Sequence, residues 1–96
     1  MYAIDTHCHL TLAPKKEQIA TIRRAREAQV LKMISVACTL PQAKDCLALA
    51  HEHEWIFATV GIHPTDLTDN IERDMKLVYE MAKAERKIVA IGEIGL

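Results

Sequence analysis

Residues 56–64, with the sequence IFATVGIHP, decide the fold class. An extended chain places alternate side chains on opposite faces. One face is aliphatic, with Ile56, Ala58, Val60 and Ile62, and the other is mixed, with Phe57, Thr59, Gly61 and His63. Pro64 cannot donate to a β ladder, so the strand ends before it. The run therefore predicts a strand over Ile56–Ile62 with one face suited to helices and a second face that turns polar toward its C-terminal end.

Three similar runs flank this strand, and stretches with helical spacing separate them. Strands are predicted at Tyr2–Asp5, Lys32–Cys38 and Ile88–Ile91. In the run from Lys32, the face with Ile34 and Val36 is the aliphatic one, suited to helices. Met33 is expected on the opposite face, which no helix covers. Helical faces are predicted from Ile19, Ile22 and Ala25, from Ala43, Cys46, Leu47 and Ala50, and from Ile71, Met75, Val78 and Ala82.

The order of these elements predicts an α/β fold with a parallel βαβαβαβ sheet. Pro14 and Pro41 stand where the first two helices begin, and Asp69 with Glu72 resembles a capping box for the third. Long strand-to-strand connections require parallel pairing with right-handed crossovers. A sheet covered by helices on both faces would be apolar on both, so the mixed face favours part of a barrel. We expect residues 1–96 to form a single partial domain.

Composition excludes several classes of protein. The 96 residues are 50% hydrophobic and 26% charged, with a net charge of -1, which gives no overall electrostatic attraction to nucleic acid or to an anionic membrane. No apolar run approaches the ~20 residues needed to span a bilayer. The first residues lack the basic region of a signal peptide. The odd number of cysteines (Cys8, Cys38 and Cys46) suits reduced thiols, so we expect buried thiols and a cytoplasmic location.

The segment Asp5-Thr6-His7-Cys8-His9 contains the strongest candidate site residues. Alternation would project Asp5, His7 and His9 together and turn Cys8 toward a helix. Two imidazoles on one face can bind a divalent ion, and a nearby carboxylate can orient a ring N–H. The alternative is a surface histidine pair at a strand end.

Two further candidates, His63 and Glu93, follow the third and fourth predicted strands. His63 could instead be a loop histidine packed on Pro64, and Glu93, between Gly92 and Gly95, could be an exposed acid in a turn. Parallel sheets gather ligands and chemistry at the C-terminal ends of their strands, where all of these candidates fall. By contrast, His51 and His53 are interpreted as a solvated helix terminus, because residues two apart on a helix do not face each other.

Three motifs resemble the TatD-type deoxyribonuclease family of metal-dependent hydrolases. They are Ile4-Asp5-Thr6-His7-Cys8-His9-Leu10, Val60-Gly61-Ile62-His63-Pro64 and Ile91-Gly92-Glu93-Ile94-Gly95-Leu96. The resemblance runs along the whole chain but covers only the first part of the family's length. It implies the N-terminal half of a (β/α)₈ TIM barrel, namely its first four strands and three helices.

The resemblance also implies a site and an activity. Its metals would be one or two divalent ions (Mg, Mn or Zn), with His7 and His9 as ligands of the first and Glu93 bridging both. Glu93 and His63 would be the catalytic residues, with His63 near the substrate phosphate and Asp5 supporting the ligands from behind. The substrate would be DNA, single-stranded or at 3′ ends, and metal-activated water would cleave its phosphodiester bonds.

The sequence departs from the family pattern in two respects. Thr11 stands where the family usually has an acid, and the family's continuing Asp and its later His, His and Asp ligands lie beyond the matched motifs. Two other functions stay open: a dimetal hydrolase of another ester or amide, or a non-catalytic α/β fragment. We expect the isolated chain to bind metal weakly, to be inactive or nearly so, and to self-associate through its unpaired outer strands.

Overall fold

The computed structural model describes residues 1–95, so Leu96 of the third motif lies outside the described residues. Four parallel strands form one sheet in the order β1-β2-β3-β4. The strands are β1 (Ala3–Cys8), β2 (Val30–Ser35), β3 (Ile56–Val60) and β4 (Ile88–Ile91), and the helices are α1 (Lys15–Glu27), α2 (Leu40–Glu52) and α3 (Ile71–Ala84). Short 3₁₀ turns occupy Leu10–Leu12 and Pro64–Asp66. The alternating architecture predicted from the sequence is confirmed.

The core lies between the sheet and its helices. As predicted, Ile56, Ala58 and Val60 of β3 are fully buried. The helices contribute small or branched buried side chains to the same core: Ile22, Ala43, Cys46, Leu49, Ala50 and Val78. The predicted helical faces extend further than the core, because Ile19, Ile71 and Met75 are 55%, 40% and 40% exposed. Met75, on the predicted face of the third helix, therefore lies largely outside the core.

The face assignment predicted for β2 is also wrong. Met33 is 3% exposed and Ser35 is fully buried, and the Ser35 hydroxyl lies 3.4 Å from the Cys46 sulfur of α2. Parallel partners share a face, and the register pairs Met33 with Ile56 and Ser35 with Ala58. Met33 therefore faces the helices and not the open side. Pairing with β3 decided the outcome, since both faces of β2 contain apolar residues.

Several ends of elements also differ from prediction: β2 runs over Val30–Ser35 and not Lys32–Cys38, and β3 ends at Val60 and not at Ile62. β1 continues to Cys8 and contains a register irregularity between Asp5 and Cys8, so simple alternation does not hold through the first motif. At α3 the cap is Asn70, whose side-chain oxygen accepts from Arg73 N at 3.2 Å, and not the predicted Asp69. The helix begins one residue later than the capping-box pattern requires. Pro41 lies in the first turn of α2 as predicted.

Within residues 1–95, none of the helices combines the length and the apolar character that crossing a bilayer requires.

Candidate metal centre

Three side chains meet at the C-terminal edge of the sheet. His7 belongs to β1, His9 follows it, and Glu93 follows β4. His7 Nε2 lies 3.2 Å from His9 Nε2, while Glu93 Oε2 lies 3.3 Å from His9 Nε2 and 3.7 Å from His7 Nε2. The structure thus brings together the three residues predicted from the sequence to be metal ligands.

The spacing of these atoms fits one divalent ion. Zinc binds histidine nitrogen at ~2.0–2.1 Å with tetrahedral geometry, which separates neighbouring ligand atoms by about 3.3 Å. Two imidazoles and a carboxylate are also a donor set that suits Zn²⁺ and Mn²⁺. The side chains of His9 and Glu93 are 31% and 28% exposed, whereas His7 is 57% exposed. The cluster is therefore open on one side, where a substrate or further ligands can approach.

The ring of His9 is directed at the cluster. Its Nδ1 is buried and has no hydrogen-bond partner among residues 1–95. Its polar contacts are made by Nε2, with His7 and Glu93. A metal-ligating histidine needs an unprotonated nitrogen facing the ion. Nε2 of His9 faces the other two ligand atoms and is the nitrogen placed to serve in this way.

Glu93 reaches the histidines because the chain crosses the edge of the sheet after β4. Gly92 N donates to Val60 O at 3.0 Å, and Glu93 N donates to Ala37 O at 2.8 Å. The crossing passes over Gly61, where an added Cβ would lie 2.5 Å from Gly92 C. Glycine is required at this position because the two backbones are in contact. Close approach of backbones explains why a glycine interrupts the apolar run of the third strand.

A buried hydroxyl fastens the crossing. Thr59 is 4% exposed, and its Oγ1 donates to Gly92 O at 2.7 Å and accepts from Ala37 N at 3.1 Å. One side chain of β3 thus satisfies backbone groups of two neighbouring segments. The alternation of residues 56–62 placed Thr59 on the mixed face but indicated no role for it. The available signal was a hydroxyl two residues before Gly61, the glycine that interrupts the strand pattern.

The surroundings of Glu93 favour its ionised form. The Cys38 thiol donates to Glu93 Oε2 at 3.2 Å and is the main reason that the pKa of Glu93 lies below its ordinary value. His7, His9 and His63 lower the pKa of Glu93 further. Burial, together with the hydrogen bond to Glu93, raises the pKa of Cys38 to about 11. At neutral pH the pair is therefore a carboxylate and a thiol.

Asp5 does not make the contact expected of it. Its Oδ1 accepts from the backbone N–H of His7 at 3.0 Å, and no hydrogen bond to a ring nitrogen is found within residues 1–95. The register irregularity after Asp5 removes the alternation on which the expectation rested. Asp5 thus contacts the main chain of His7, and orientation of an imidazole by Asp5 is not observed.

His63 lies beside the cluster with a defined tautomer. Its Nδ1 accepts from Thr65 N at 3.1 Å, so the neutral ring must carry its proton on Nε2. His63 N donates to Cys38 O at 2.9 Å, which ties the residue to the segment after β2. An open cleft of about 330 Å³ connects the groups, lined by His9, Cys38, Gln42, His63, Asp66 and Glu93. His63 can therefore offer an N–H to a molecule held near Glu93.

The remaining candidates lie elsewhere. His51 Nε2 is 3.5 Å from Glu85 Oε2, and the His53 ring packs on Trp55, so neither histidine joins the cluster. Thr11, which replaces the usual acid, lies with its hydroxyl 3.6 Å from the Cys46 sulfur. All three cysteines are free thiols, and Cys46 alone is fully buried, so the expectation of buried thiols is only partly correct.

Comparison with known proteins identifies the family. A family model described as TatD related DNase matches residues 4–96. The chain belongs to the TatD-related DNase family. The match includes all three motifs that resemble the family. Membership therefore confirms the resemblance on which the site prediction depended.

Sequence relatives include named metal-dependent hydrolases. YabD of Bacillus subtilis, named an uncharacterized metal-dependent hydrolase, is 33% identical over 93 residues, covering 96% of this chain and 36% of YabD. YjjV of Escherichia coli K12, named in the same way, is 34% identical over 95 residues, covering 97% of this chain and 37% of YjjV. A Cronobacter sakazakii protein named 3′-5′ ssDNA/RNA exonuclease TatD is 33% identical over 75 residues, covering 78% of this chain and 28% of that protein.

A solved structure of the TatD family shares the fold. The crystal structure of YjjV superposes with a TM-score of 0.82 at 34% identity, and the match covers 98% of this chain and 37% of YjjV. The four strands and their helices correspond to the N-terminal part of that TIM barrel. The chain spans little more than a third, 36% and 37%, of the lengths of YabD and YjjV.

Proposed function

We propose that this chain supplies part of the metal centre of a TatD-type hydrolase that cleaves phosphodiester bonds in DNA. The supporting observation is the convergence of His7, His9 and Glu93 with spacing that suits one divalent ion. Relatives named ssDNA/RNA exonucleases support a nucleic-acid substrate, single-stranded or with a 3′ end. Three free thiols fit our further proposal that the protein works in the cytoplasm.

The three ligand residues would hold one or two ions of Mg, Mn or Zn. His7 and His9 would bind the first ion, and Glu93, ionised at neutral pH, would offer both carboxylate oxygens and so bridge to a second. A divalent ion held there lowers the pKa of a water molecule and neutralises charge on a phosphate. Asp5 would support His7 through its backbone amide, by the 3.0 Å hydrogen bond already described.

His63 would bind the substrate phosphate. Its Nε2 carries the proton because Nδ1 accepts from the amide of Thr65. A neutral imidazole N–H is a suitable donor to a phosphate oxygen, and the open cleft between His63 and Glu93 can admit one. His63 would therefore orient the phosphodiester next to the ligand cluster, while Glu93 contributes charge and metal binding.

Calorimetric titration of the purified chain with Zn²⁺ and with Mn²⁺ tests the metal centre. We expect a weak site that His9→Ala abolishes. His51→Ala is the matched control, because His51 lies outside the cluster and pairs with Glu85. Unchanged binding in His9→Ala, or loss of binding in His51→Ala, would contradict the assignment.

Cleavage of single-stranded DNA with Mg²⁺ tests the activity. We expect little or no turnover by this chain alone, because metal hydrolysis requires fixed geometry and supporting groups around the ligands. In a TatD relative of full length, substitution of the matching glutamate by glutamine should abolish turnover. Rapid cleavage by the isolated chain that Glu93→Gln removes would contradict the expected inactivity. A full-length relative that cleaves other esters but not DNA would contradict the proposed substrate.

A further inference from the structure

The thiol of Cys38 contacts the one carboxylate oxygen that faces both histidines. Cys38 follows β2, and its sulfur lies 3.2 Å from Glu93 Oε2. That same Oε2 lies 3.3 Å from His9 Nε2 and 3.7 Å from His7 Nε2. The thiol is therefore placed to decide where this oxygen points.

The backbone holds Cys38 on both sides. Cys38 N donates to Gln42 Oε1 at 2.9 Å, and Cys38 O accepts from His63 N at 2.9 Å. The neighbouring residue, Ala37, contacts Glu93 directly, because Glu93 N donates to Ala37 O at 2.8 Å. Because residues 37 and 38 bind both the backbone and the side chain of Glu93, the carboxylate is fixed at two points.

Cys38 is not placed as a fourth ligand of the same ion. Within residues 1–95, the ligand atoms that lie within 4.8 Å of one another belong to His7, His9 and Glu93, and the Cys38 sulfur is not among them. The sulfur lies within hydrogen-bond distance of the carboxylate, but it does not lie within 4.8 Å of all the ligand atoms. Between an ionised carboxylate and a thiol, the S–H is the donor, since a carboxylate can only accept.

We propose that Cys38 is a positioning residue of the metal centre, whose S–H holds Glu93 Oε2 in the orientation that faces His7 and His9. The inference rests on the proposed metal centre and adds to it a residue outside the ligand set. Groups that orient metal ligands without touching the metal typically change metal affinity 10- to 100-fold when removed. Because an S–H is a weak donor, we expect an effect near the lower end of that range.

Three variants of the chain separate this role from others. Cys38→Ala removes the donor, whereas Cys38→Ser keeps an O–H donor at the same position. Calorimetry with Zn²⁺ should show about tenfold weaker binding for Cys38→Ala and affinity within about threefold of wild type for Cys38→Ser. Gln42→Ala, which removes a contact to the Cys38 backbone only, should have a smaller effect than Cys38→Ala. Thermal unfolding of each variant verifies that it is folded.

Cobalt spectroscopy distinguishes positioning from ligation. A thiolate ligand gives an intense near-ultraviolet charge-transfer band with Co²⁺, and we expect no such band in the wild-type chain. A band that disappears in Cys38→Ala would overturn the proposal by showing that Cys38 is itself a ligand. Affinity of Cys38→Ala within twofold of wild type, or equal losses in the Ala and Ser variants, would also overturn it.

A metal-free measurement separates this inference from the proposed function. With Glu93 carbon-13 labelled, the carboxyl resonance at fixed pH should move in Cys38→Ala and stay near its wild-type position in Cys38→Ser. An unmoved resonance in Cys38→Ala would overturn the role of the thiol even if metal binds. Absence of metal binding by wild type, together with the expected resonance shift, would instead contradict the metal centre and leave the hydrogen bond established.

Discussion

Replacing Gly61 by alanine should displace Glu93 without touching any ligand. The added Cβ would lie 2.5 Å from Gly92 C, 2.6 Å from Gly92 O and 2.7 Å from Glu93 O, whereas ordinary contact begins at 3.4 Å. The backbones must therefore separate by about 0.7–0.9 Å, and overpacking of this kind costs about 1–3 kcal/mol. Backbone atoms cannot turn aside as a flexible side chain can, so the upper half of that range is expected.

The displacement should also weaken the metal site. The segment is held by Gly92 N to Val60 O at 3.0 Å and by Glu93 N to Ala37 O at 2.8 Å. A shift approaching 1 Å breaks or weakens both bonds and takes Glu93 Oε2 out of reach of an ion shared with His9. Ligand geometry needs to hold within ~0.5 Å, so we expect at least tenfold weaker Zn²⁺ binding in Gly61→Ala.

Gly92→Ala is the matched control for Gly61→Ala. A Cβ at Gly92 has no atom within 4 Å, and its φ lies outside the left-handed region that favours glycine. Urea unfolding of Gly92→Ala should match wild type within ~0.5 kcal/mol. Both variants are then titrated with Zn²⁺. Wild-type stability and affinity in Gly61→Ala, or equal damage in the two variants, would refute the role assigned to the crossing.

Three further predictions concern the fold. Thr59→Val should lower the free energy of unfolding in urea by about 1–3 kcal/mol, because the amide of Ala37 loses its acceptor. Thr59→Ser should recover most of the loss. A Val variant as stable as wild type would exclude this role. Gln29, which follows α1, has a φ of 68°, in the left-handed region that favours glycine. Gln29→Gly should therefore raise the free energy of unfolding by about 0.5–1 kcal/mol, and Gln29→Ala should not. Equal thermal midpoints for wild type and the two variants would argue against backbone strain at this residue. The outer strands β1 and β4 each pair with one strand, and Val89, Ile91 and Ile94 are 48%, 49% and 57% exposed. We therefore expect the chain to self-associate and Ile91→Lys to reduce this association. A sharp monomer peak in light scattering with cooperative unfolding would contradict it.

Local periodicity predicted the architecture and the His7 and His9 pair as a candidate metal site, and the family resemblance predicted Glu93 as a further ligand. Alternation in residues 56–62 predicted the buried face of β3, and the run Ile88–Ile91 was predicted with the bounds that the structure has. His7, His9 and Glu93 were predicted to lie at one edge because parallel strands place their C-terminal ends there. These features depend on the pattern of neighbouring residues or on a general rule for parallel sheets, so the sequence is enough to predict them.

Long-range contacts decided the remaining features. Met33 faces the helices because its partner Ile56 does, and no pattern within β2 contains that register. Two features are exceptions, because the cap at Asn70 and the contact of Asp5 with the His7 amide are local contacts that the residue pattern did not predict. The places of Gly61, Thr59 and Cys38 follow from the path of the chain over the sheet edge. Contacts between residues more than 30 positions apart are set by tertiary packing, so the supports of Glu93 became visible only in the folded structure.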